Sequence, residues 1–129
     1  MVVLDTHVWI WWVGGPGCPA VSPAALSAID AAAVVGISAT TCVEVAWLAA
    51  KGRVRFDRDT LTWLHQALAR PRVTLLPTTP EIAVVAAGLD WTHRDPADRL
   101  ILATAQVHRA SLVTADETIS RFASALCVW

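Results

Sequence analysis

Four acidic residues that are far apart in the chain occupy the same kind of position, the junction between a predicted strand and a predicted helix. Asp5 directly follows the apolar run Val2–Leu4, whereas Glu44, Asp98 and Asp116 each lie in the first turn of a predicted helix. Carboxylate ligands without a histidine or cysteine among them favour Mg²⁺ or Mn²⁺ over zinc. A divalent ion held in this way generates hydroxide and neutralises charge on phosphate oxygens, so the pattern indicates phosphodiester hydrolysis.

Each of these acids also has a purely local interpretation, because the helix dipole favours acidic residues in first turns. The local roles are capping boxes for Glu44 with Thr41 and for Asp98 with Asp95, an N-cap for Asp116 and a turn for Asp5. The joint interpretation is favoured because the chain has only 11 acidic residues and four of them are predicted at one edge. Asp5, at the end of its strand, is expected to have no capping role.

Short apolar segments alternate with helical ones along the whole chain. The predicted strands are Val2–Leu4, Val34–Ser38, Val73–Leu76, Ser111–Thr114 and Leu126–Trp129. The predicted helices are Val8–Val13, Ser22–Ala33, Thr41–Lys51, Asp59–Ala69, Thr79–Leu89, Asp95–His108 and a short one from Asp116. This alternation predicts an α/β fold with a central parallel β-sheet flanked by α-helices. In right-handed βαβ units, strand carboxyl ends and helix N-termini share one edge of the sheet, where all four acids should meet.

A cluster of four carboxylates is electrostatically costly. Two like charges ~6 Å apart repel by about 3 kcal/mol at an effective dielectric constant near 20. Six such pairs cost on the order of 15 kcal/mol, which is comparable to the whole stability of a typical domain. The favourable interaction of an acid with a helix N-terminus offsets only ~0.3–1 kcal/mol of this repulsion per acid. The cluster therefore requires a cation, a shared proton or an inserted arginine.

The composition is that of one folded domain, expected over residues 1–129. The hydrophobic fraction is 55%, the charged fraction 16% and the net charge −1, which excludes an intrinsically disordered chain and one that binds nucleic acid through bulk charge. The apolar excess indicates an oligomer or partner interface. No apolar run is long enough to span a membrane, and the N-terminus lacks a signal-peptide pattern. The three cysteines suit a reducing compartment, so a cytoplasmic location is expected.

Four motifs resemble those of the PIN-domain ribonucleases, specifically toxins of the VapC type. They run in order along essentially the whole chain, at the spacing of that family. They are Leu4–Trp9; Ile37–Thr41 with Glu44–Ala46 and Gly52–Val54; Asp95–Ile101 with Ala103–Ala105; and Leu112–Asp116.

The resemblance implies a PIN-like fold and an RNA endonuclease that depends on Mg²⁺ or Mn²⁺. The family's metal-binding acids correspond to Asp5, Glu44, Asp98 and Asp116, of which Asp5 and Asp98 are expected to be the most dependable ligands. The resemblance also implies three partners: an RNA substrate, a cognate antitoxin that blocks the site, and a second copy of the chain in a homodimer.

Three further residues take supporting roles from the same resemblance. Thr6 and Thr114 occupy small hydroxyl positions that orient the acids or a metal-bound water. Arg99 follows the third acid, and either contacts phosphate or pairs with Asp95.

Other groups of residues have competing interpretations. The tryptophans Trp9, Trp11 and Trp12 either stack on bases or, as is more common, pack in a core or an antitoxin groove. The basic stretch is interpreted as solvated loop charge or as a contact to the RNA backbone; it comprises Lys51, Arg53, Arg55 and Arg58. The four histidines show no metal-ligand spacing and receive no role; they are His7, His65, His93 and His108.

Three alternative functions compete with the nuclease. A catalytically idle binding module of the same fold has no reason to retain the strain of four acids. A phosphotransferase of the haloacid-dehalogenase type uses a second Asp two residues after the first, where this chain has His7. A Rossmann dinucleotide site is excluded because the glycine-rich fingerprint is absent after the first strand.

Overall fold

A five-stranded, entirely parallel sheet forms the centre of the molecule, and the computed structural model describes all residues, 1–129. The strands are β1 (Val2–Leu4), β2 (Val35–Ser38), β3 (Val73–Leu76), β4 (Ser111–Val113) and β5 (Cys127–Val128), in the order β3-β2-β1-β4-β5. The helices are α1 (Thr6–Gly14), α2 (Pro23–Ala31), α3 (Ala39–Ala50), α4 (Thr60–Leu68), α5 (Pro80–Gly88), α6 (Pro96–Val107) and α7 (Glu117–Phe122). The predicted α/β fold is confirmed.

The first strand is the central one, which determines where the candidate site lies. In β1, Val2 is in register with Val35 on one side and Ser111 on the other. The Asp5 amide then donates to the Val113 carbonyl at 3.0 Å, so pairing with β4 continues to the last strand residue. The residue after β1 therefore lies in the middle of the carboxyl edge of the sheet.

Helices cover the sheet on both faces, as expected for short parallel strands that are apolar throughout. One core contains Leu4 and Ile37 together with Trp9, Ile29 and Val45 from the helices. The opposite core contains Val3 and Leu112 together with residues of α6 and α7, namely Ile101, Leu102 and Ile119. Helix α5 packs against α6 through Ile82, Ala86 and Ala103.

Two helices begin earlier than the sequence predicts. Helix α3 begins at Ala39 because Ser38 is its N-cap and accepts from the Thr40 amide at 3.2 Å. The predicted capping box of Thr41 with Glu44 is therefore wrong, and the buried Thr41 hydroxyl has no hydrogen-bond partner. Helix α1 begins at Thr6 with Asp5 as its N-cap, so the expectation that Asp5 has no capping role is also wrong.

None of the seven helices combines the length and the apolar character needed to cross a bilayer.

Candidate metal centre at the carboxyl edge of the sheet

Asp5 is almost enclosed at the end of the central strand, and both of its carboxylate oxygens are hydrogen-bonded. Its exposed fraction is 7%. Oδ1 accepts from the Thr6 amide at 2.8 Å, and Oδ2 accepts from the Thr114 hydroxyl at 2.7 Å. Thr114 itself comes directly after β4, so two neighbouring strand ends fix this carboxylate.

Glu44 reaches the same place from the second turn of α3. Its Oε1 accepts a hydrogen bond of 2.5 Å from the Thr6 hydroxyl. Thr6 therefore links two acids, since its amide donates to Asp5 and its hydroxyl donates to Glu44. The hydroxyls of the two threonines singled out in the sequence thus each hold one candidate acid, Thr6 holding Glu44 and Thr114 holding Asp5.

Asp98 completes the group from the first turn of α6. Its Oδ2 lies 2.7 Å from His93 Nε2. One carboxylate oxygen from each of Asp5, Glu44 and Asp98 can be chosen so that all three lie within 4.8 Å of one another. Three acids from three different elements thus converge at one point.

Asp116 lies beside this group but not in it. Its Oδ1 accepts from the Ile119 amide at 3.0 Å as the N-cap of α7, and its own amide donates to the Thr114 hydroxyl at 3.0 Å. The local N-cap interpretation describes this side chain, because capping keeps the carboxylate at the start of α7. Its charge is near enough to contribute to the raised pKa values of Asp5 and Asp98.

The pKa values of the three converging acids are all raised. Burial is the largest cause for each, and it raises the pKa of Asp98 from 3.8 to about 6. Burial likewise raises the pKa of Asp5 and of Glu44, against the hydrogen bonds from Thr114 and Thr6 that lower them. Neighbouring carboxylates add to the shift at all three positions. The site therefore disfavours three negative charges unless a cation compensates for them.

The donor set fits a hard divalent cation. Oxygen ligands from Asp5, Glu44 and Asp98 are those that Mg²⁺ and Mn²⁺ prefer. Three protein carboxylates also leave room for water or a phosphate oxygen in an octahedral shell.

Arg99 contacts backbone carbonyl oxygens and does not pair with Asp95. Its guanidinium donates to the carbonyl oxygens of Leu89 and Trp91 at 2.8 Å each, of Ala86 at 3.0 Å and of His93 at 3.2 Å. Arg99 therefore links α6 to the end of α5 and to the loop before α6 through hydrogen bonds. The expected pairing with Asp95 is wrong, because backbone carbonyls occupy the guanidinium, whereas the expected phosphate contact stays a prediction.

His93 is the residue that the sequence did not reveal. It lies in the loop between α5 and α6, five residues before Asp98, and no ligand spacing marks it. The only available signal was its position in the segment just before the Asp95 N-cap.

The aromatic and basic groups lie mostly away from the acids. Trp9 is fully buried and meets Trp63 edge to face, with ring centroids 5.1 Å apart, so it packs in the core and is not available to bases. Arg58 pairs with Asp57 at 2.7 Å. A groove of about 600 Å³ adjoins the site, and Lys51 and Arg53 line it together with Glu44.

Comparisons with known proteins agree with this architecture. The family model of the PIN domain matches residues 2–125. Ribonuclease VapC22 of Mycobacterium tuberculosis is 39% identical over 119 residues, which cover 92% of this chain and 88% of that protein.

Solved structures show the same fold. A toxin-antitoxin complex from Klebsiella pneumoniae has a TM-score of 0.65 and 24% identity, covering 96% of this chain and 91% of that one. VapBC2 from Rickettsia felis, bound to a fragment of its promoter DNA, has a TM-score of 0.67 and 15% identity, covering 98% and 97%. The chain therefore belongs to the PIN domain family, and its identity with VapC22 places it among the VapC-type members.

Proposed function

We propose that the protein is a Mg²⁺- or Mn²⁺-dependent endoribonuclease, the toxin of a type II toxin–antitoxin pair, which hydrolyses RNA phosphodiester bonds. The observation that carries this proposal is the convergence of Asp5, Glu44 and Asp98 from three separate elements within 4.8 Å. The identity with VapC22, a protein named as a ribonuclease, supports the choice of RNA as substrate.

Asp5, Glu44 and Asp98 would hold the ion in this proposal, while Asp116 adds negative charge beside them. When bound, the ion supplies a Lewis acid and a hydroxide nucleophile at neutral pH. The chain's own contribution is to hold the ligands before the ion arrives. Thr114 fixes Asp5 and Thr6 fixes Glu44, so little reorganisation is needed on binding.

The RNA backbone is proposed to approach along the groove beside Glu44. Lys51 and Arg53 lie in this groove, and cationic side chains contribute most of the affinity for phosphates. The groove thus places positive charge next to an acidic site on a chain whose net charge is −1.

Two protein partners belong to the same proposal. A cognate antitoxin is supported by the solved relatives, which are toxin-antitoxin complexes. A homodimer is supported by large apolar side chains that the single chain leaves uncovered on α3 and α5. Val43 is 50%, Trp47 64% and Val84 73% exposed, and a second copy would cover them. Val43 and Trp47 also line the groove, so the dimer interface would border the path proposed for the RNA.

A catalytically idle binding module is the alternative, and one observation favours it. Asp5 and Asp116 each cap a helix, so two of the four acids have structural roles that do not require an ion. Capping does not account for Glu44 or Asp98, whose side chains are directed toward Thr6 and His93 instead of toward helix amides.

Cleavage of RNA by the purified chain tests the proposal directly. End-labelled RNA is incubated with Mg²⁺, with Mn²⁺ and with EDTA, using wild type, Asp5→Asn and Asp98→Asn. We expect metal-dependent cleavage by wild type and a cleavage rate lowered by more than about 100-fold in both variants. Removing a metal ligand should have a larger effect than removing the hydrogen-bond partner of a ligand, which typically costs about 10–100-fold. Asp30→Asn, an exposed acid at the end of α2, is the matched control and should cleave normally. Equal cleavage by the site variants, or none by wild type with any metal, would leave the idle module as the better account.

A further inference from the structure

The loop before α6 brings an imidazole against the acidic site. His93 Nε2 lies 2.7 Å from Asp98 Oδ2, and the two side chains are 29% and 15% exposed. That separation is typical of a charge-assisted N–H···O bond to a carboxylate. One oxygen of Asp98 is thereby engaged, while the carboxylate still belongs to the group with Asp5 and Glu44.

His93 is itself held from two directions. Its ring packs against Trp91 with centroids 4.7 Å apart, and Trp91 stacks on Phe122 of α7 at 4.8 Å with planes 7° apart. Its backbone carbonyl accepts from Arg99 Nη1 at 3.2 Å, as does that of Trp91 at 2.8 Å. A side chain whose ring and backbone are both fixed can impose an orientation on the group it bonds.

We propose that His93 is a positioning residue for the divalent ion: its Nε2–H holds the Asp98 carboxylate in the orientation that binds the metal. This inference rests on the proposed function, because it requires an ion at Asp5, Glu44 and Asp98. Removing the hydrogen-bond partner of a metal ligand typically lowers metal affinity by about 10–100-fold.

The neighbouring acid Asp95 also has a carboxylate oxygen within 4.8 Å of ligand atoms of His93 and Asp98, but it has its own role at the start of α6. Its Oδ1 accepts from the Ala97 amide at 2.9 Å as the N-cap of α6, and the residue is exposed. His93 is therefore the side chain that connects the loop to a candidate ligand.

Binding of Mn²⁺ to the full chain, followed by the EPR signal of the free ion, tests the proposal. His93→Leu removes the donor, whereas His93→Gln keeps an N–H near the position of Nε2. We expect His93→Leu to raise the Kd by about 10–100-fold and His93→Gln to remain close to wild type. His65→Leu, at an exposed histidine on α4, is the control and should bind Mn²⁺ as wild type does.

The pattern among the variants separates positioning from other roles. An unchanged Kd in His93→Leu overturns the proposal. A Kd raised equally in the Leu and Gln variants also overturns the proposal, because that result would indicate that the imidazole itself binds the ion. If His93→Leu does not fold, His93→Asn takes its place, since its shorter amide reaches the position of Nδ1 and should also lose affinity.

A kinetic readout distinguishes positioning from a general structural effect. In His93→Leu, the Mn²⁺ concentration for half-maximal RNA cleavage should rise by the same factor as the Kd, while the rate at saturating Mn²⁺ stays near that of wild type. A lower saturated rate with an unchanged half-maximal concentration contradicts the proposal. If wild type binds no Mn²⁺, the proposed function fails as well, whereas normal binding by both wild type and His93→Leu removes only the role of His93.

Discussion

Acidic residues in two regions of this molecule have pKa values shifted in opposite directions. At the carboxyl edge of the sheet, burial raises the pKa of Asp5, Glu44 and Asp98. In the segment before α4, the partners Arg58 and Thr62 lower the pKa values of Asp57 and Asp59, respectively.

The difference lies in what compensates for the negative charge. Asp57 pairs with an arginine in solvent, and Asp59 caps α4 through the Thr62 amide at 3.0 Å. The edge acids have hydroxyls and one histidine as partners but no arginine or lysine. An exposed carboxylate whose charge is compensated locally has a structural role, whereas buried carboxylates without an arginine or lysine partner are candidates for binding a cation.

The largest effect expected on stability comes from the ion itself. Mg²⁺ or Mn²⁺ at 100 times its Kd should stabilise the wild-type fold by about 2.7 kcal/mol, which corresponds to a rise in Tm of roughly 5–12 °C for a domain of this size. Calorimetry with metal and with EDTA measures this rise. Asp98→Asn should lose most of the rise, and Asp57→Asn should retain it. An equal rise in both variants would mean that the ion binds outside the carboxyl edge.

A smaller effect is expected from neutralising the most buried acid. In metal-free buffer near pH 8, Asp5→Asn should stabilise the fold by about 1–2 kcal/mol, because a buried charge without a cation is costly and the amide keeps the same shape. Thermal denaturation at about pH 8 and at about pH 4 measures the change. The gain should shrink at the lower pH, because burial raises the pKa of Asp5 and acid favours its neutral form. A loss of stability at pH 8 would show that the hydrogen bonds of Asp5 outweigh the cost of its burial.

The stability of the metal-free fold should also fall as the pH rises and the buried acids lose their protons. The folded chain holds a proton on Asp98 more tightly than the unfolded chain does, because the pKa rises from 3.8 to about 6. This contribution to stability is fully present below about pH 4 and is lost as the pH rises through about 6. Metal-free wild type should therefore lose Tm over this range relative to Asp98→Asn, whose profile should be flatter. Parallel profiles for the two proteins would contradict the raised pKa.

The smallest effect belongs to the contrasting region. Asp59→Ala removes the N-cap of α4 and should destabilise the fold by about 1 kcal/mol, with RNA cleavage and metal binding unchanged. Chemical denaturation and the cleavage assay measure the two quantities. If this substitution reduced cleavage as strongly as Asp98→Asn, the distinction between the two regions would fail.

Much of the fold was predictable because the alternation of short apolar strands with capped helices is a local pattern. Ser22, Asp59, Thr79 and Asp95 cap the helices that the sequence predicted them to cap. The predicted start of α3 was wrong because two residues could each serve as its N-cap. Ser38 displaced Thr41 as the cap of α3, and Glu44 therefore lies a turn deeper in the helix than expected.

The candidate site was predictable only in part, because its contacts join residues that are distant in the chain. The sequence predicts that all four acids lie at one edge, but it does not decide whether Asp116 joins the group or caps α7. In the structure it caps α7, and its carboxylate stays beside the group. The roles of Arg99 and His93 depend on the path of the loop between α5 and α6, which leaves no periodic signal in the sequence.

Anomalous diffraction from crystals soaked in Mn²⁺ tests the central claim most directly. The account predicts a manganese peak bounded by the carboxylates of Asp5, Glu44 and Asp98, lost in crystals of Asp98→Asn. A peak only at exposed acids such as Asp57, or no peak at the carboxyl edge of the sheet, would contradict it.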